Sequence, residues 1–471
     1  MSTPAASPLW LGRSSQPPDP LLLELSSSVE LDRRLAAHDI DGSIAHVEEL
    51  ERIGVLHGDQ AQALRAALTQ VGRAIADGSF AWRVEHEDVH MNVEAAVHEA
   101  VGPELAGQLQ AGRSRNEEIA TDERRWLRDV VAGLDEAAVR LQRTLVRRAA
   151  GEVETILPAV THTQPAQPVS LAHYLLAHVE MLERDRGRLA DLARRADRCP
   201  AGSGAAVGSG LPLDRQRLAE RLGFAAPTAN SLDAVGDRDY AVELVAACAI
   251  GLNHLSRLAA DLVLWSTPAY GFVRLSDGFT TGSSMLPNKR NPDAAELVRA
   301  RAAVVGGHLT TLLGITRALP LSYHRDLQED RRPLFESAAS YELCLKVCER
   351  MMATLTFDRE AMRAAASRGH VRAIALAERL LQAGVPFRQA HRRVGELVAR
   401  AEQRGCQVHE LPAEELRAAL PELEGLDPVV PTLEEAVALA DVVGGTAPNR
   451  VREAIADAAA RVGLADVEVQ A

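Results

Sequence analysis

Lysine is nearly absent from this chain: of its 52 lysine and arginine residues only Lys289 and Lys346 are lysines, so arginine carries almost all the positive charge. Positive charge is itself in deficit. The net charge of −13 excludes the excess basic surface that sequence-independent nucleic-acid binding requires. Aromatic residues make up only 3%, and the abundance of Ala, Leu, Val, Arg and Glu is the composition of helices rather than strands, so an almost all-α protein is expected. The five cysteines, Cys199, Cys248, Cys344, Cys348 and Cys406, are odd in number and lack metal-ligand spacing. Cys344 and Cys348 share a helix face with no histidine or second pair nearby, so neither a zinc site nor a disulfide framework is expected, and a reducing cytoplasm is the natural setting. No cofactor or metal is expected. No long uninterrupted apolar run is present either: the most apolar stretch, residues 244–265, is broken by Asn253, His254, Arg257 and Asp261, which reads as a buried bundle helix rather than a membrane span. The opening MSTPAASPLWLGRSSQPP has no basic segment followed by an apolar core, so no signal peptide is expected.

What is present is helical periodicity on a large scale. A chain of 471 residues implies two or three domains. Residues 1–112 read as a smaller, mainly helical domain, 113–360 as a central bundle of long helices, and 361–471 as a small helical domain. From residue 116 to 151 the apolar positions Ile119, Trp126, Leu127, Val130, Leu134, Leu141 and Leu145 recur mostly at steps of three and four or their sums. A helix of that length needs equally long neighbours, and 171–196, 240–264 and 292–319 have the same character. Between them lie loops rich in polar residues and glycine: THTQPAQP, CPAGSGAAVGSGLP and TTGSSMLPNKRNPDAAEL. Long helices joined by such loops make a bundle with its active groups at helix ends.

Three of these clusters carry chemistry. In GRSRNEE, Arg113, Ser114, Arg115 and Asn116 stand before the longest helix, where their donors and the free backbone N–H groups of the helix start can face one anion. In THTQPAQP, Thr161 and His162 precede prolines that break the chain before the next helix. In the third, Lys289 offers a compact point charge suited to a narrow carboxylate pocket, which the planar fork of arginine does not fit. Asn291 and Pro292 suit the N-cap and first helical position there, with Asp293 and Glu296 in the first turn. Singly, a cap, a loop histidine and a turn serine are ordinary structural residues; three donor-rich clusters at helix starts together read as one anion-binding site.

GSSMLPNKRN resembles the signature loop G-S-S-x-x-P-x-K-x-N of the fumarase/aspartase superfamily, whose members eliminate fumarate from a substituted succinate. GRSRNEEIATDERRW, VTHTQPAQPVSLAHYLLAHVEMLERD, CPAGSGAAVGSGLPLDR, NSLDAVGDRDYAVE, TTGSSMLPNKRNPDAAELVR and LPLSYHRDLQEDRRPLFES narrow the resemblance to the argininosuccinate lyase family. It extends from LWLGR near the N-terminus to GGTAP near the C-terminus. The resemblance implies a three-domain, all-α fold and cleavage of argininosuccinate to arginine and fumarate. It implies that Ser283 is the base removing the proton next to a carboxylate, that Lys289 and Asn291 hold that carboxylate as its charge doubles in the transition state, and that His162 with Glu296 serves the leaving side. Ser114, Asn116 and Thr161 fall on succinate-binding positions. Ser28, Arg238, Tyr323 and Gln328 fall where the family holds the amino-acid part, with Arg331 in place of the usual lysine after QED, and His90 matches a further active-site histidine. In the family one site takes its clusters from three subunits, so the resemblance implies a homotetramer acting on a small dianionic substrate, with no nucleic-acid or membrane partner.

The chain departs from the family at several points. Gln110 and Ala111 replace the usual His-Thr, Glu117 and Glu118 the usual Asp-Gln, Asn288 the usual Gln, and Ile374-Ala375 a common Thr-Asp pair. Arg331 fits the chain-wide loss of lysine; the loss of an imidazole and a hydroxyl at 110 and 111 does not. Two rival readings follow: a specialised lyase releasing fumarate from another N-substituted succinate, and a non-catalytic structural homologue, against which the retention of Ser283, Lys289, Asn291, His162 and Glu296 argues.

Overall fold

A computed structural model describes residues 19–465; the opening MSTPAASPLWLGRSSQPP, with its LWLGR, lies outside them. The described chain is dominated by helix, 67% of the whole, and its only sheets among the described residues are two pairs of antiparallel strands, as the composition requires. Five helices are long: Arg115–Ala150, Leu171–Ala196, Asp239–Trp265, Asp293–Thr316 and Arg331–Thr354. The first four match the expected segments to within three residues. The fifth was not anticipated, because EDRRP places a proline near its start; Pro333 sits in the first turn, where the missing N–H costs no intrahelical bond.

The chain forms two compact units. Among the described residues, one comprises 19–134 together with Gly187–Ala249 and Val304–Ser340; the other comprises Asp135–Arg186, Ile250–Ala303 and 341–465. In the first, helices Ala36–Arg52, Gly58–Ala76 and Val89–Val101 pack Val47, Leu50, Leu64, Leu68, Val93 and Val97 into one core, each large aliphatic side chain contributing about 2 kcal/mol on burial. In the second, helices Ala373–Gln382 and Phe387–Gln403 bury Leu376, Leu380, Val394 and Leu397. The second unit also brings Gly251 against Tyr341 so closely that a Cβ on the glycine would collide with the phenol ring.

Helix Asp239–Trp265 is long and apolar enough to cross a membrane by length and composition, yet 56% of its most apolar window is buried. Its polar side chains are also satisfied within the second unit: His254 Nδ1 lies 2.8 Å from Asp185 Oδ2, and Asp261 accepts from the Tyr174 hydroxyl at 2.6 Å. Those are the contacts of a core helix.

THTQPAQP is not the irregular loop expected from its prolines. Strands Ile156–Thr161 and Gln164–Ser170 pair antiparallel, with a register shift between Ala159 and Val160, and His162 and Thr163 form the two-residue turn. Both adopt left-handed backbone conformations, φ 54° and 62°, as a tight hairpin of this twist demands. Neither is the glycine or asparagine that favours such a turn, which hid it from a reading of the sequence.

Candidate active site

Ser283 lies in a loop whose ends are tied together. Thr281 and Asn291 exchange backbone hydrogen bonds of 3.1 and 2.8 Å, and the Thr281 hydroxyl donates to Asp293. Within the loop the Ser283 Oγ accepts the backbone N–H groups of Met285 and Leu286 at 3.2 and 3.1 Å. Two backbone donors aimed at one hydroxyl oxygen stabilise its anion more than its neutral form. The loop's two cations are used differently: Arg290 is tied to Asp277 and to the Leu275 carbonyl, whereas Lys289 is exposed and has no ion pair among the described residues. The following helix starts at Asp293, one residue later than expected: the Asn291 carbonyl is taken by the Thr281 N–H, and the Pro292 carbonyl accepts the first intrahelical N–H, from Glu296 at 3.1 Å. Glu296 occupies the first turn, exposed, 3.8 Å from Arg299.

Thr161 and His162 stand at the exposed hairpin tip in the same unit. Among the described residues no hydrogen bond or ion pair joins His162 to Ser283, Lys289 or Glu296.

In the first unit, Ser114 immediately precedes helix Arg115–Ala150. Its Oγ accepts the Asn116 N–H at 3.3 Å, capping the second helical residue, and its own N–H donates to the Glu117 side chain at 3.2 Å, the half of a capping box that the third helical residue supplies. Asn116 reaches the glycine-rich loop, donating to the Ala205 carbonyl at 3.0 Å.

Ser28, Arg238 and Arg331 come together in a buried charge network. Arg331 Nη1 donates to Ser28 Oγ at 3.0 Å and lies 3.4 Å from Asp32; Ser28 in turn donates to Asp32 at 2.6 Å. Arg238 pairs with Asp330 and lies 3.6 Å from Glu123, which also accepts from Tyr240. Both residues are almost wholly buried, 3% and 2% exposed. Burial, with the nearby Glu123 charge, raises Asp330 to about 7. Gln328 donates to the Ser26 carbonyl at 2.8 Å. Tyr323 is half-buried, its hydroxyl pKa raised by that burial.

His90 is fully buried, its Nδ1 2.9 Å from Asp39 and 3.8 and 3.9 Å from Glu118 and Asp122. Burial alone lowers its pKa, but Asp39 first, with Asp88 and Glu118, outweighs it and pushes His90 up to about 10. Asp122, buried beside Asp39, is held well above the usual carboxylate range. Asp39, His90 and Asp122 are the group among the described residues whose atoms lie close enough to hold a metal ion. A cation there would have to displace the imidazole proton in the neighbourhood of Arg113, which pairs with Glu118.

Several members of these networks carry no role in the sequence reading: Asp32, Glu123 and Asp330, which neutralise the two arginines, Asp39 and His46, which face the 111–118 turn, and Glu117, which stands out there only as a departure from the family. His46 lies 2.9 Å from the Ala111 carbonyl and is depressed to about 3 by burial and then by Arg113. Only Glu117 had a legible signal, as the fourth residue of a Ser-x-x-Glu capping box.

A lyase family profile matches residues 12–307, and a profile for the argininosuccinate lyase C-terminal region matches residues 370–439. The chain is 45% identical over 449 residues to an argininosuccinate lyase of Hyphomonas neptunium, covering 95% of this chain and 96% of that protein. Among solved structures it resembles EDDS lyase in complex with formate, at a TM-score of 0.81 and 28% identity, covering 94% and 88% of the two chains. A class II fumarase from Schistosoma mansoni, at a TM-score of 0.72 and 15% identity over 84% and 92% of the chains, shares the fold. With 45% identity over nearly the whole of both chains, this chain belongs to the argininosuccinate lyase family of the fumarase/aspartase superfamily.

Proposed function

We propose that this protein cleaves argininosuccinate to arginine and fumarate by β-elimination, with Ser283 as the base. The observation that carries the proposal is the pair of backbone N–H groups on Ser283 Oγ. A serine hydroxyl is a weak base in water, and preorganised donors together with the Lys289 ammonium lower the cost of its alkoxide. Ser283 takes the proton from the carbon next to a carboxylate. That carboxylate becomes doubly negative, held by Lys289 and Asn291; the carbon–nitrogen bond then breaks, and the departing nitrogen receives a proton on the side served by His162 and Glu296. Ser114, Asn116 and Thr161 bind the succinate half. Tyr323, Gln328 and Ser28 receive the amino-acid half, over the platform braced by Arg238 and Arg331, and His90 supports the turn that carries Ser114.

The residues in these roles come from separate clusters, and His162 makes no bond to Ser283 or Glu296 within one described chain, which supports a site completed by other subunits of a homotetramer. Exposed apolar side chains on the long helices, Leu297 at 63%, Leu313 at 51% and Leu343 at 56%, support the same reading, since such surface marks an interface. The division at residues 112 and 360 into three domains, a cytoplasmic location and a place in arginine biosynthesis belong to this proposal.

A second reading has its own support: Gln110 and Ala111 in place of His-Thr, and the structural likeness to EDDS lyase, favour a fumarate-releasing lyase with another leaving group. Fumarate absorbance in the ultraviolet across a panel of N-substituted succinates decides. The proposal expects argininosuccinate to be cleaved with kcat/KM of roughly 10⁴ M⁻¹s⁻¹ or above. A response only to another succinate selects the second reading, and a silent panel rejects both.

A further inference from the structure

Glu117 stands where the family usually has aspartate, and the added methylene extends its reach by about 1.5 Å. That reach is used. The side chain is buried, 2% exposed, and bridges two segments: one oxygen accepts the Ser114 N–H at 3.2 Å and the other accepts the Gly204 N–H at 2.7 Å. Asn116 crosses the same gap to the Ala205 carbonyl. The receiving loop, residues 201–210, is tightly folded. Gly204 has φ +61°, and a Cβ there would lie 2.5 Å from the Gly208 carbonyl oxygen; Gly208 N–H closes onto Ser203 at 2.8 Å; and Arg215 anchors the loop's start through the Ala201 carbonyl and Ser203 Oγ, both at 3.0 Å.

We propose that Glu117 is a positioning residue that clamps the turn bearing Ser114 and Asn116 to the 201–210 loop, and that the clamp opens when its carboxylate gains a proton, weakening the hold on the succinate half of the substrate. This rests on the reading that Ser114 and Asn116 bind that half. A carboxylate accepts both N–H groups, whereas a carboxylic acid presents a hydroxyl hydrogen to one of them. Burial, reinforced by Glu118, raises Glu117 to about 7 despite the N–H groups of Gly204 and Ser114 and the Arg113 charge. The groups facing it leave no free counter-charge. Arg113 is engaged by Glu118 and by Ser43 at 2.9 Å; His46 and Asp39 from helix Ala36–Arg52, together with Asp122, line the same cavity of about 30 Å³, and His46 is neutral there. From the loop side the neighbour is the buried Cys199 thiol, which Arg215 and Arg124 also approach, the former spent on loop carbonyls and the latter paired with Asp237. The clamp is therefore closed above neutrality and opens below it.

The test measures fumarate binding by calorimetry and hydrogen exchange of the 201–210 segment, corrected for intrinsic pH dependence, at about pH 6 and about pH 8, one unit on either side of the titration. In the wild type the fumarate Kd is expected to rise about tenfold from the higher pH to the lower, in step with the fraction of ionised carboxylate, and the segment to lose protection. Glu117→Gln, uncharged and able to accept only through its carbonyl oxygen, is expected to bind weakly with no pH slope and to leave the segment unprotected at both values. Glu117→Asp is expected to keep the slope at weaker affinity. The wild-type comparison needs no variant to fold. An unchanged slope in Glu117→Gln, or loop exchange indifferent to both pH and substitution, overturns the proposal. Absence of fumarate binding at either pH with the exchange response intact instead overturns the assignment of Ser114 and Asn116 to the succinate half, and with it the functional part of this one.

Discussion

Replacing Ser283 with alanine removes one oxygen from an exposed loop, and the structure sets what should follow. The Met285 and Leu286 N–H groups at 3.2 and 3.1 Å lose their acceptor, but water replaces it, because the loop is exposed from 284 to 290. The Thr281–Asn291 bridge that closes the loop does not involve the serine. Stability should change by no more than about 0.5 kcal/mol, the ordinary effect of a surface substitution. Turnover should behave differently. Each preorganised donor to a developing oxyanion is worth about 3 to 4 kcal/mol, so two donors acting on the alkoxide account for roughly 6 kcal/mol, or about four powers of ten in rate. The assay is fumarate release followed in the ultraviolet, with fumarate affinity and the thermal transition measured on the same preparation. Ser283→Ala should bind fumarate normally, melt normally and turn over about 10⁴-fold more slowly. A variant within tenfold of the wild-type rate would refute the assignment of Ser283 as the base.

Three other outcomes are expected. Lys289→Arg should be nearly as damaging as Lys289→Ala although it keeps the charge, because the planar guanidinium fork does not fit a narrow carboxylate pocket that a compact ammonium does; near-normal kcat/KM in Lys289→Arg would remove that role. Mixed and reassembled Ser283→Ala and His162→Asn chains should regain activity, since some sites would then hold both intact residues, and a mixture as inactive as its parents would argue against a shared site. His90, raised from 6.5 to about 10 in the folded chain, is protonated there when an unfolded histidine is not, so its stabilising contribution is full below pH 6.5 and lost as pH rises through about 10. Thermal stability should therefore fall across that alkaline range in the wild type and fall less steeply in His90→Asn, and parallel slopes would show that His90 carries no such charge.

The long helices were legible because their signal is local and repeated: Leu127, Leu134, Leu141 and Leu145 are all buried on one helix, as their spacing requires. The hairpin at 156–170 was not, because its turn uses His162 and Thr163 in a backbone conformation that neither side chain favours. Only the paired strands around it, held in register by hydrogen bonds between Ile156–Thr161 and Gln164–Ser170, impose it, and that contest between local preference and strand pairing has no trace in composition. Arg331 presents the reverse case. Its position after QED was visible, but that it is buried against Ser28, Asp32 and Glu123 depends on segments some two to three hundred residues away.

By itself the sequence determined the helical class, the family and the residue types that carry the chemistry, because helix periodicity and short motifs are written in consecutive residues. The tertiary structure alone decided how those residues are held. It placed two backbone donors on Ser283, left Lys289 without an ion partner among the described residues while tying down Arg290, spent three carboxylates on Arg238 and Arg331, and joined Glu117 to Gly204 across 87 positions of chain. Charge balance and hydrogen-bond satisfaction are properties of a buried volume, and which groups share that volume is settled only when distant segments pack.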